Sequence, residues 1–222
     1  LYLNDGKGNF QRAPAGVLPD LRDSGSVVTA ADFDRDGDLD LFVGGRCIPG
    51  GYPLTPNSRL LRNDHGKFAD VADQVAPNLR QSGLVTSAVW SDANDDGWPD
   101  LLVTHEWGPV KFFLNKRGRL EDRTLDAGLS GRSGWWNGIA ARDLDGDGDV
   151  DYVVTNFGLN TKYRASSSKP VVAFFGEFDD TGRKQLIEAY YEGETLYPLR
   201  GRSTWLAVIP SLAEKFTTFE SF

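Results

Sequence analysis

Asp32-Phe33-Asp34-Arg35-Asp36-Gly37-Asp38-Leu39-Asp40 places five aspartates within nine residues. The pattern recurs from Asp92 to Asp100 and from Asp143 to Asp151. It puts oxygen-bearing side chains at positions 1, 3, 5 and 9, and a glycine at position 6, where the backbone turns sharply. Such a set suits a hard cation that takes about six to eight oxygen ligands. Each stretch is therefore predicted to be a calcium loop, in which the ion offsets repulsion between crowded carboxylates.

Position 7 of each loop is expected to contribute a backbone carbonyl oxygen. The predicted calcium ligands are Asp32, Asp34, Asp36, Asp38 and Asp40 in the first loop; Asp92, Asn94, Asp96, Trp98 and Asp100 in the second; and Asp143, Asp145, Asp147, Asp149 and Asp151 in the third. A weaker fourth candidate runs from Glu177 to Gly182, with Thr181 at position 5 and Gln185 at position 9. An ordinary acidic turn is the alternative interpretation of that segment.

A second motif runs in phase with the acidic loops. Its copies are Leu3-Asn4-Asp5-Gly6-Lys7-Gly8-Asn9-Phe10, Arg62-Asn63-Asp64-His65-Gly66-Lys67-Phe68 and Leu114-Asn115-Lys116-Arg117-Gly118-Arg119-Leu120. The loops start 60 and 51 residues apart, and the asparagines of the second motif lie 59 and 52 residues apart. Matching periods in two independent motifs predict a repeat of roughly 50 to 60 residues.

Short runs of β-branched and aromatic residues surround the loops, such as Val27 to Ala31 before the first and Leu39 to Val43 after it. Such runs favour strands over helices. Each unit is completed by a third strand (Arg59 to Arg62, Val110 to Leu114), a tight turn at the asparagine motif and a short fourth strand, around Phe68 to Val71 in the first unit. We therefore predict an all-β fold of four-stranded antiparallel β-propeller blades forming an incomplete ring.

The predicted division follows the repeats. Residues 1–25 are the trailing strands of a preceding blade; residues 26–83, 84–133 and 134–195 are blades with calcium loops; and residues 196–222 are a helical connector. The third unit departs from the pattern, with residues 171–175 in the third-strand position. The β pattern is expected to stop after Tyr191, and a helical segment interrupted at Pro210 and capped by Ser211 is expected to pack on or between blades. A partner-binding helix is the alternative.

Strands beside the acidic loops distinguish them from EF-hand and dockerin loops, which helices flank. The arrangement resembles the FG-GAP or VCBS repeat of integrin-α-like β-propellers. The phrases Leu41-Phe42-Val43-Gly44-Gly45-Arg46, Gly134-Trp135-Trp136-Asn137, Asn156-Phe157-Gly158-Leu159-Asn160-Thr161 and Tyr197-Pro198-Leu199-Arg200 resemble a narrower group. That group is the bacterial secreted VCBS-repeat proteins associated with ASPIC/UnbV domains. The resemblance implies calcium binding, export and a binding or scaffolding role.

Propeller topology would divide the connections between two faces. The calcium loops and the asparagine turns share one face, and the longer connections at 45–58, 104–109, 125–135 and 156–170 lie on the other. The second face is the predicted ligand face, because aromatic and polar side chains cluster in these connections. Its candidate residues are Arg46, His105, Glu106, Trp107, Trp135, Trp136, Asn156, Tyr163 and Arg164. Aromatic wedges between neighbouring blades are the alternative for the tryptophans.

Composition excludes several classes of function. The net charge is -8 and no basic stripe is present, so nucleic acid is not an expected partner. No apolar run reaches the ~20 residues of a transmembrane helix. Cys47 is the single cysteine, which excludes an internal disulfide framework. The chain starts inside a repeat, so it is expected to be a fragment, without information on a signal peptide or lipid anchor.

The sequence offers little for catalysis. His105-Glu106 is the only acid and base pair on the predicted ligand face, and adjacent side chains of an extended segment point in opposite directions. We expect a non-enzymatic, calcium-stabilised module with about three Ca²⁺ ions, located in the periplasm, at the cell surface or outside the cell. Its expected partner is a protein or a glycan. The alternatives are a non-catalytic part of a polysaccharide-active or other extracellular enzyme, and an architectural subunit of a surface assembly.

Overall fold

The computed structural model describes residues 1–158, 161–178 and 181–222. The chain divides into two compact units, Leu1–Phe157 and Gly158–Phe222. Asn160 of the predicted ligand-face connection lies outside the described residues, as do Asp179 and Asp180 of the weak fourth calcium candidate. Among the described residues, no helix combines the length and the hydropathy that a membrane span requires.

The first unit consists almost entirely of short antiparallel strands. They are β1 (Tyr2–Asn4), β2 (Phe10–Arg12), β3 (Ser24–Ala31), β4 (Asp40–Cys47), β5 (Arg59–Asp64), β6 (Lys67–Asp70), β7 (Leu84–Ser91), β8 (Asp100–Gly108), β9 (Lys111–Asn115), β10 (Leu120–Asp122), β11 (Gly134–Arg142) and β12 (Asp151–Asn156). One short helix, α1 (Ala72–Val75), follows β6. The repeat pattern gave no indication of this helix.

Strands β3 to β6 form one four-stranded antiparallel sheet in chain order. Ala31 pairs with Asp40 across the first acidic loop, and Asp64 pairs with Lys67 across the asparagine turn. Strands β7 to β10 repeat the arrangement, with Ser91 opposite Asp100. The all-β fold, with antiparallel four-stranded units of the β-propeller type, is therefore confirmed.

Strand β8 also joins the second sheet to the next hairpin. Its last residues pair with the start of β11, Gly108 opposite Gly134 and Glu106 opposite Trp135, and β11 then pairs with β12 along Gly138 to Arg142. The resulting sheet has six strands. Each acidic loop therefore connects the first two strands of its repeat, which are β3 and β4, β7 and β8, and β11 and β12.

The core of the first unit lies between successive repeats. Its fully buried residues include Phe33, Phe42, Leu60, Leu101 and Phe113. The ring of Phe33 stacks on Trp90 at the next repeat, with centroids 6.5 Å apart. The phenylalanine inside the first acidic loop is thus a core residue, which fixes the loop on the body of the unit.

The second unit contains a three-stranded antiparallel sheet of β13 (Val172–Glu177), β14 (Lys184–Glu192) and β15 (Thr195–Pro198). Two short helices follow, α2 (Arg202–Val208) and α3 (Leu212–Lys215). The expected helical segment is present. Ser211 occupies the N-cap position of α3 but makes no side-chain capping hydrogen bond, because its own backbone is already helical.

Two expectations about boundaries were wrong. The β pattern does not stop at Tyr191, because β15 pairs with β14 through Tyr197 opposite Tyr190, so a boundary between residues 195 and 196 falls inside a strand. Residues 104–108 belong to strand β8 and not to a loop, because they find partners in both β7 and β11. The strand expected at residues 171–175 is β13, Val172–Glu177, the edge strand of the three-stranded sheet of the second unit.

Candidate functional site

The first residue of each acidic loop organises the loop backbone. Asp32 accepts hydrogen bonds from the backbone N–H groups of Asp36 and Gly37, each at 3.0 Å. Asp92 accepts the equivalent pair from Asp96 and Gly97, at 3.0 and 2.7 Å. Gly37 has a φ of +99°, a left-handed conformation that favours glycine. The sequence pattern therefore encodes a preformed turn as well as a set of oxygens.

The third loop repeats this turn with one change. Asp143 accepts hydrogen bonds from the N–H groups of Gly146 and Gly148, at 2.7 and 3.1 Å. In the same loop the Asp149 N–H donates to Asp147 Oδ1 at 2.9 Å. The Asp38 N–H makes the equivalent hydrogen bond to Asp36 Oδ1 in the first loop. The three loops therefore share one backbone frame.

Two of the loops bring three carboxylates within reach of a single ion. Oxygens of Asp32, Asp34 and Asp36 lie within 4.8 Å of one another, as do those of Asp143, Asp145 and Asp151. The second loop carries Asn94 at the equivalent third position, where an amide oxygen replaces a carboxylate. Asp34 Oδ1 is buried and has no hydrogen-bond partner among the described residues. Burial raises the pKa of Asp34, as expected for a carboxylate without a compensating cation.

The ninth residue is buried in the first two loops. Asp40 and Asp100 are fully inaccessible to solvent. Burial raises the pKa of Asp40 to about 6, although its two carboxylate oxygens accept the backbone N–H groups of Phe33 and Asn63, at 3.1 and 2.7 Å. Burial likewise raises the pKa of Asp100. These two aspartates therefore hold the loop and the neighbouring strand together in addition to being predicted ligands.

The asparagine motif is physically joined to the acidic loops. Asn63 closes its own turn by accepting the Gly66 N–H at 2.8 Å, and its amide donates to Leu39 O at 3.1 Å. The His65 N–H donates to Asp38 Oδ2 at 2.9 Å, so the side chain of Asp38 serves the turn. Sequence reasoning placed both motifs on one face but missed this contact. The matching periods of the two motifs were the signal for it.

Neighbouring loops also contact each other. Asn115 is fully buried, and its amide donates to Phe33 O at 2.8 Å, one repeat away. Arg35 lies over the ring of Trp98, with its guanidinium carbon 5.3 Å from the ring centroid. The first loop is therefore connected to the second asparagine turn by a hydrogen bond and to the second loop by a cation–π contact.

At the strand ends opposite the acidic loops, a polar cluster joins three predicted ligand-face residues, Arg46, Glu106 and Trp107, to Tyr52, which was not among the candidates. Arg46 Nη2 donates to Glu106 Oε2, and the Tyr52 hydroxyl donates to Glu106 Oε1. Trp107 Nε1 donates to the Tyr52 oxygen at 2.6 Å. The side chain of Glu106 is 1% exposed, whereas that of Arg46 is 33% exposed. The carboxylate of Glu106 is thus held between a cation and a phenol beneath the surface.

An aromatic stack continues from this cluster. The rings of Trp107 and Trp135 have centroids 5.8 Å apart, and Trp135 stacks on Phe157 at 4.8 Å. Phe157 is 45% exposed, whereas Trp107 and Trp135 are half-buried. Trp107 has a φ of +61°, a left-handed conformation that is strained for a bulky residue. Sequence reasoning did not single out Phe157, whose only signal was its place directly after a strand.

His105 and Glu106 are not the exposed loop residues that the sequence predicted. His105 is 1% exposed; its Nδ1 is 3.0 Å from Pro109 O and its Nε2 is 3.2 Å from Ser82 Oγ. Burial lowers the pKa of His105 to about 4. Because β8 extends through both residues, their side chains pack inside the unit.

The remaining candidate residues lie in other positions. Trp136 and Asn156 are paired across β11 and β12, and Trp136 Nε1 donates to Arg132 O at 3.2 Å. Tyr163 and Arg164 belong to the second unit. There the Tyr163 hydroxyl donates to Glu188 Oε1 at 2.7 Å, and Arg164 Nη1 donates to Thr161 O at 2.6 Å.

Antiparallel four-stranded repeats, each with an acidic loop between its first two strands, define a β-propeller-like repeat protein. Residues 1–43 and 92–154 match the model of the FG-GAP-like repeat family. The match supports FG-GAP, integrin-α-like repeats in this chain. The narrower grouping with bacterial VCBS-repeat proteins stays a prediction.

Two kinds of curated relative are similar to the chain. Phosphatidylinositol-glycan-specific phospholipase D of Rattus norvegicus is 29% identical over 154 residues, which cover 60% of this chain and 18% of the relative. Cartilage acidic protein 1 of Xenopus tropicalis is 26% identical over 186 residues, which cover 80% of this chain and 27% of the relative. The chain therefore spans 18 to 27% of the length of these relatives.

Proposed function

We propose that this chain is a calcium-stabilised, β-propeller-like binding or adhesion module of an exported bacterial protein, with one ion in each of the three acidic loops. The observation that carries the proposal is the preformed cluster of Asp32, Asp34 and Asp36, in which a buried carboxylate oxygen has no partner among the described residues. A hard cation would satisfy that oxygen and neutralise its neighbours. The FG-GAP-like family match supports the same role.

Calcium acts structurally in this proposal. Asp40 and Asp100 each tie the loop to the adjacent hairpin, so an ion bound to the loop would also order that hairpin. Extracellular calcium modules bind with Kd values of roughly 10⁻⁴ to 10⁻³ M. At millimolar calcium each filled site would add on the order of 1 kcal/mol of stability. Sites this weak favour a location outside the cytosol.

The test compares two isosteric changes in the second loop. Asp96→Asn removes a charge at a ligand position, and its amide oxygen can still accept the Trp98 N–H, which lies 2.9 Å from Asp96 Oδ1. Asp95→Asn removes the same charge at position 4, where no ligand is predicted, and asparagine tolerates the φ of +56° at that position. The readout is the melting temperature in millimolar calcium and in EGTA.

Asp96→Asn should reduce the calcium-dependent rise in melting temperature, and Asp95→Asn should leave that rise nearly unchanged. Equal effects of the two variants would show that calcium only screens the acidic surface. No response of the wild-type chain to calcium would contradict the proposal directly. The buried Asp40 and Asp100 are poorer test positions, because their replacement would destabilise the fold without any ion.

We propose binding as the activity because His105 and Glu106, the acid and base pair predicted on the opposite face, are both engaged in contacts within the fold. His105 contacts Ser82 and Pro109, and the carboxylate of Glu106 accepts hydrogen bonds from Arg46 and Tyr52. A depressed pKa leaves His105 neutral at pH 7. The chemistry needed for proton transfer to a bound substrate is thus used for packing and support.

The second candidate is a non-catalytic part of an extracellular enzyme. The similarity to phosphatidylinositol-glycan-specific phospholipase D favours it, because the match covers only 18% of each relative. The repeats are therefore one part of those larger proteins. Turnover of a polysaccharide by a protein that contains this chain, unaffected by Arg46→Lys, would support this candidate over a stand-alone binding role.

A further inference from the structure

The polar and aromatic cluster at the ends of β4, β8 and β12 combines a buried carboxylate, paired with Arg46, and a strained backbone conformation at Trp107. Glu106 is enclosed, yet both of its oxygens have donors, and Trp107 keeps a left-handed backbone while donating to Tyr52. Backbone strain of this kind is found preferentially at binding sites. These hydrogen bonds fix the positions of the Trp107 ring and of the Arg46 guanidinium.

Arg46 has hydrogen-bonding capacity that the described residues do not use. Its Nη2 donates to Glu106, whereas its Nη1 is buried without a hydrogen-bond partner among them. A buried donor without an acceptor is unfavourable, because it has lost its hydrogen bonds to water without replacing them. An acceptor oxygen brought to the exposed edge of this side chain would remove that penalty after a small movement of the guanidinium.

The charge balance selects the kind of acceptor. Glu106 already neutralises Arg46, and the whole chain carries a net charge of -8. An anionic ligand would therefore bring a second negative charge to a paired guanidinium on an acidic protein. A neutral hydroxyl meets the same N–H without that penalty. The same cluster offers an apolar face, because Trp107, which donates to Tyr52, contacts the stacked rings of Trp135 and Phe157.

Building on the binding role proposed above, we propose that Arg46, Trp107, Trp135 and Phe157 form a subsite for a neutral sugar residue of a glycan. The apolar face of a pyranose ring would pack on the exposed part of the Trp135 and Phe157 stack, and a ring hydroxyl would accept from Arg46 Nη1. Glu106 and Tyr52 position these groups and do not contact the sugar. This face lies opposite the acidic loops, so binding leaves the calcium sites free.

The experiment uses a glycan array carrying neutral and acidic oligosaccharides, probed with the chain in millimolar calcium. The strongest neutral glycan is then titrated against intrinsic tryptophan fluorescence. Phe157→Ala and Trp135→Ala should each raise the Kd about tenfold, as expected for loss of one aromatic contact. Arg46→Lys keeps the charge opposite Glu106 but loses the fork of donors, and it should weaken binding while the fold is retained.

Phe10→Ala is the matched control, because Phe10 is an aromatic residue that is 66% exposed in β2 and follows the first asparagine turn, where it pairs with Asn4. It should leave the Kd unchanged. Phe157→Ala keeps the proposal testable if Trp135→Ala unfolds, since Phe157 lies at the exposed end of the stack.

Binding restricted to acidic glycans, or neutral binding that survives both aromatic changes, would overturn the inference. An array without any binding, on a chain whose melting temperature still responds to calcium, would overturn it and leave the calcium-stabilised module intact.

Discussion

The imidazole of His105 is held in one place by two neutral partners. Its Nε2 lies 3.2 Å from the Ser82 hydroxyl and its Nδ1 lies 3.0 Å from Pro109 O. Gly83 makes room for the ring, since a Cβ there would lie 2.7 Å from His105 Cδ2. Protonation would place a charge in this enclosed space without a carboxylate in hydrogen-bond contact. The residue therefore stabilises the fold only while it is neutral.

The contribution of His105 to stability should consequently fall in mild acid. The folded-state pKa of His105 is about 4, below the roughly 6.5 of an unfolded chain, so the unfolded state binds more protons between these values. The contribution of His105 is complete above pH 6.5 and is lost as the pH falls towards 4. At pH 5 the loss is about 2 kcal/mol. Denaturant unfolding at pH 7 and pH 5, at constant calcium, gives the sum of this loss and the opposite effect of Asp40, whose pKa burial raises to about 6, so a His105 variant is needed to isolate the loss.

His105→Gln should remove about 2 kcal/mol from the difference in unfolding free energy between these two pH values. The chain has two histidines, and the side chain of the other, His65, is 91% exposed, so His65→Asn is the matched control. Asparagine tolerates the φ of +53° at that position. If His105→Gln and wild type lose the same stability between pH 7 and pH 5, the buried-histidine account is wrong.

At the scale of elements, strands β4 and β7 approach closely at Gly44. A Cβ at this position would lie 2.5 Å from Val85 Cγ1 and 2.9 Å from Val27 Cγ1. These atoms belong to branched side chains on a packed interface, and they cannot move aside without disturbing the core. Contact between successive repeats therefore depends on the absence of a side chain at Gly44.

Gly44→Ala should destabilise the chain by about 1 to 3 kcal/mol through overpacking. Gly25→Ala on β3 is the control, because its Cβ would meet Gly44 O at 3.5 Å and Val43 Cγ1 at 3.8 Å, which are ordinary contacts. That change should be neutral or slightly stabilising, since alanine restricts the unfolded chain. Denaturant midpoints of the two variants decide the matter, and equal midpoints would contradict the packing argument.

Elements also show what the sequence could and could not predict. Strand positions around the loops were predictable because short β-branched runs and repeated turns are local signals, and β3, β5, β6 and β9 agree with them. The extension of β8 to Gly108 was not, because His105 and Glu106 are buried by pairing with β7 and β11, which is a long-range effect. The link from Asn115 to Phe33 O, 82 residues earlier, also depends on the assembled fold.

For the molecule as a whole, contacts between repeats should couple the stability of the first loop to that of the second. Asn115 connects the second hairpin to Phe33, and Arg35 covers Trp98. A Cβ at Gly118 would lie 3.2 Å from Asp34 Cβ, so the second asparagine turn packs directly on the first loop. An ion that orders one loop should therefore support the other through these contacts.

A double-mutant cycle tests this coupling. Asp36→Asn and Asp96→Asn each remove one predicted ligand charge while keeping the oxygen that accepts a backbone N–H two residues later. In millimolar calcium the double variant should lose less stability than the sum of the single variants, by at least about 0.5 kcal/mol, because the first change already loosens the shared contacts. In EGTA the interaction energy should vanish. Asp36→Asn combined with Asp95→Asn is the matched cycle, and it should be additive in both buffers. Additivity of Asp36→Asn and Asp96→Asn in calcium would mean that each loop binds its ion independently, and that contacts between repeats transmit only packing.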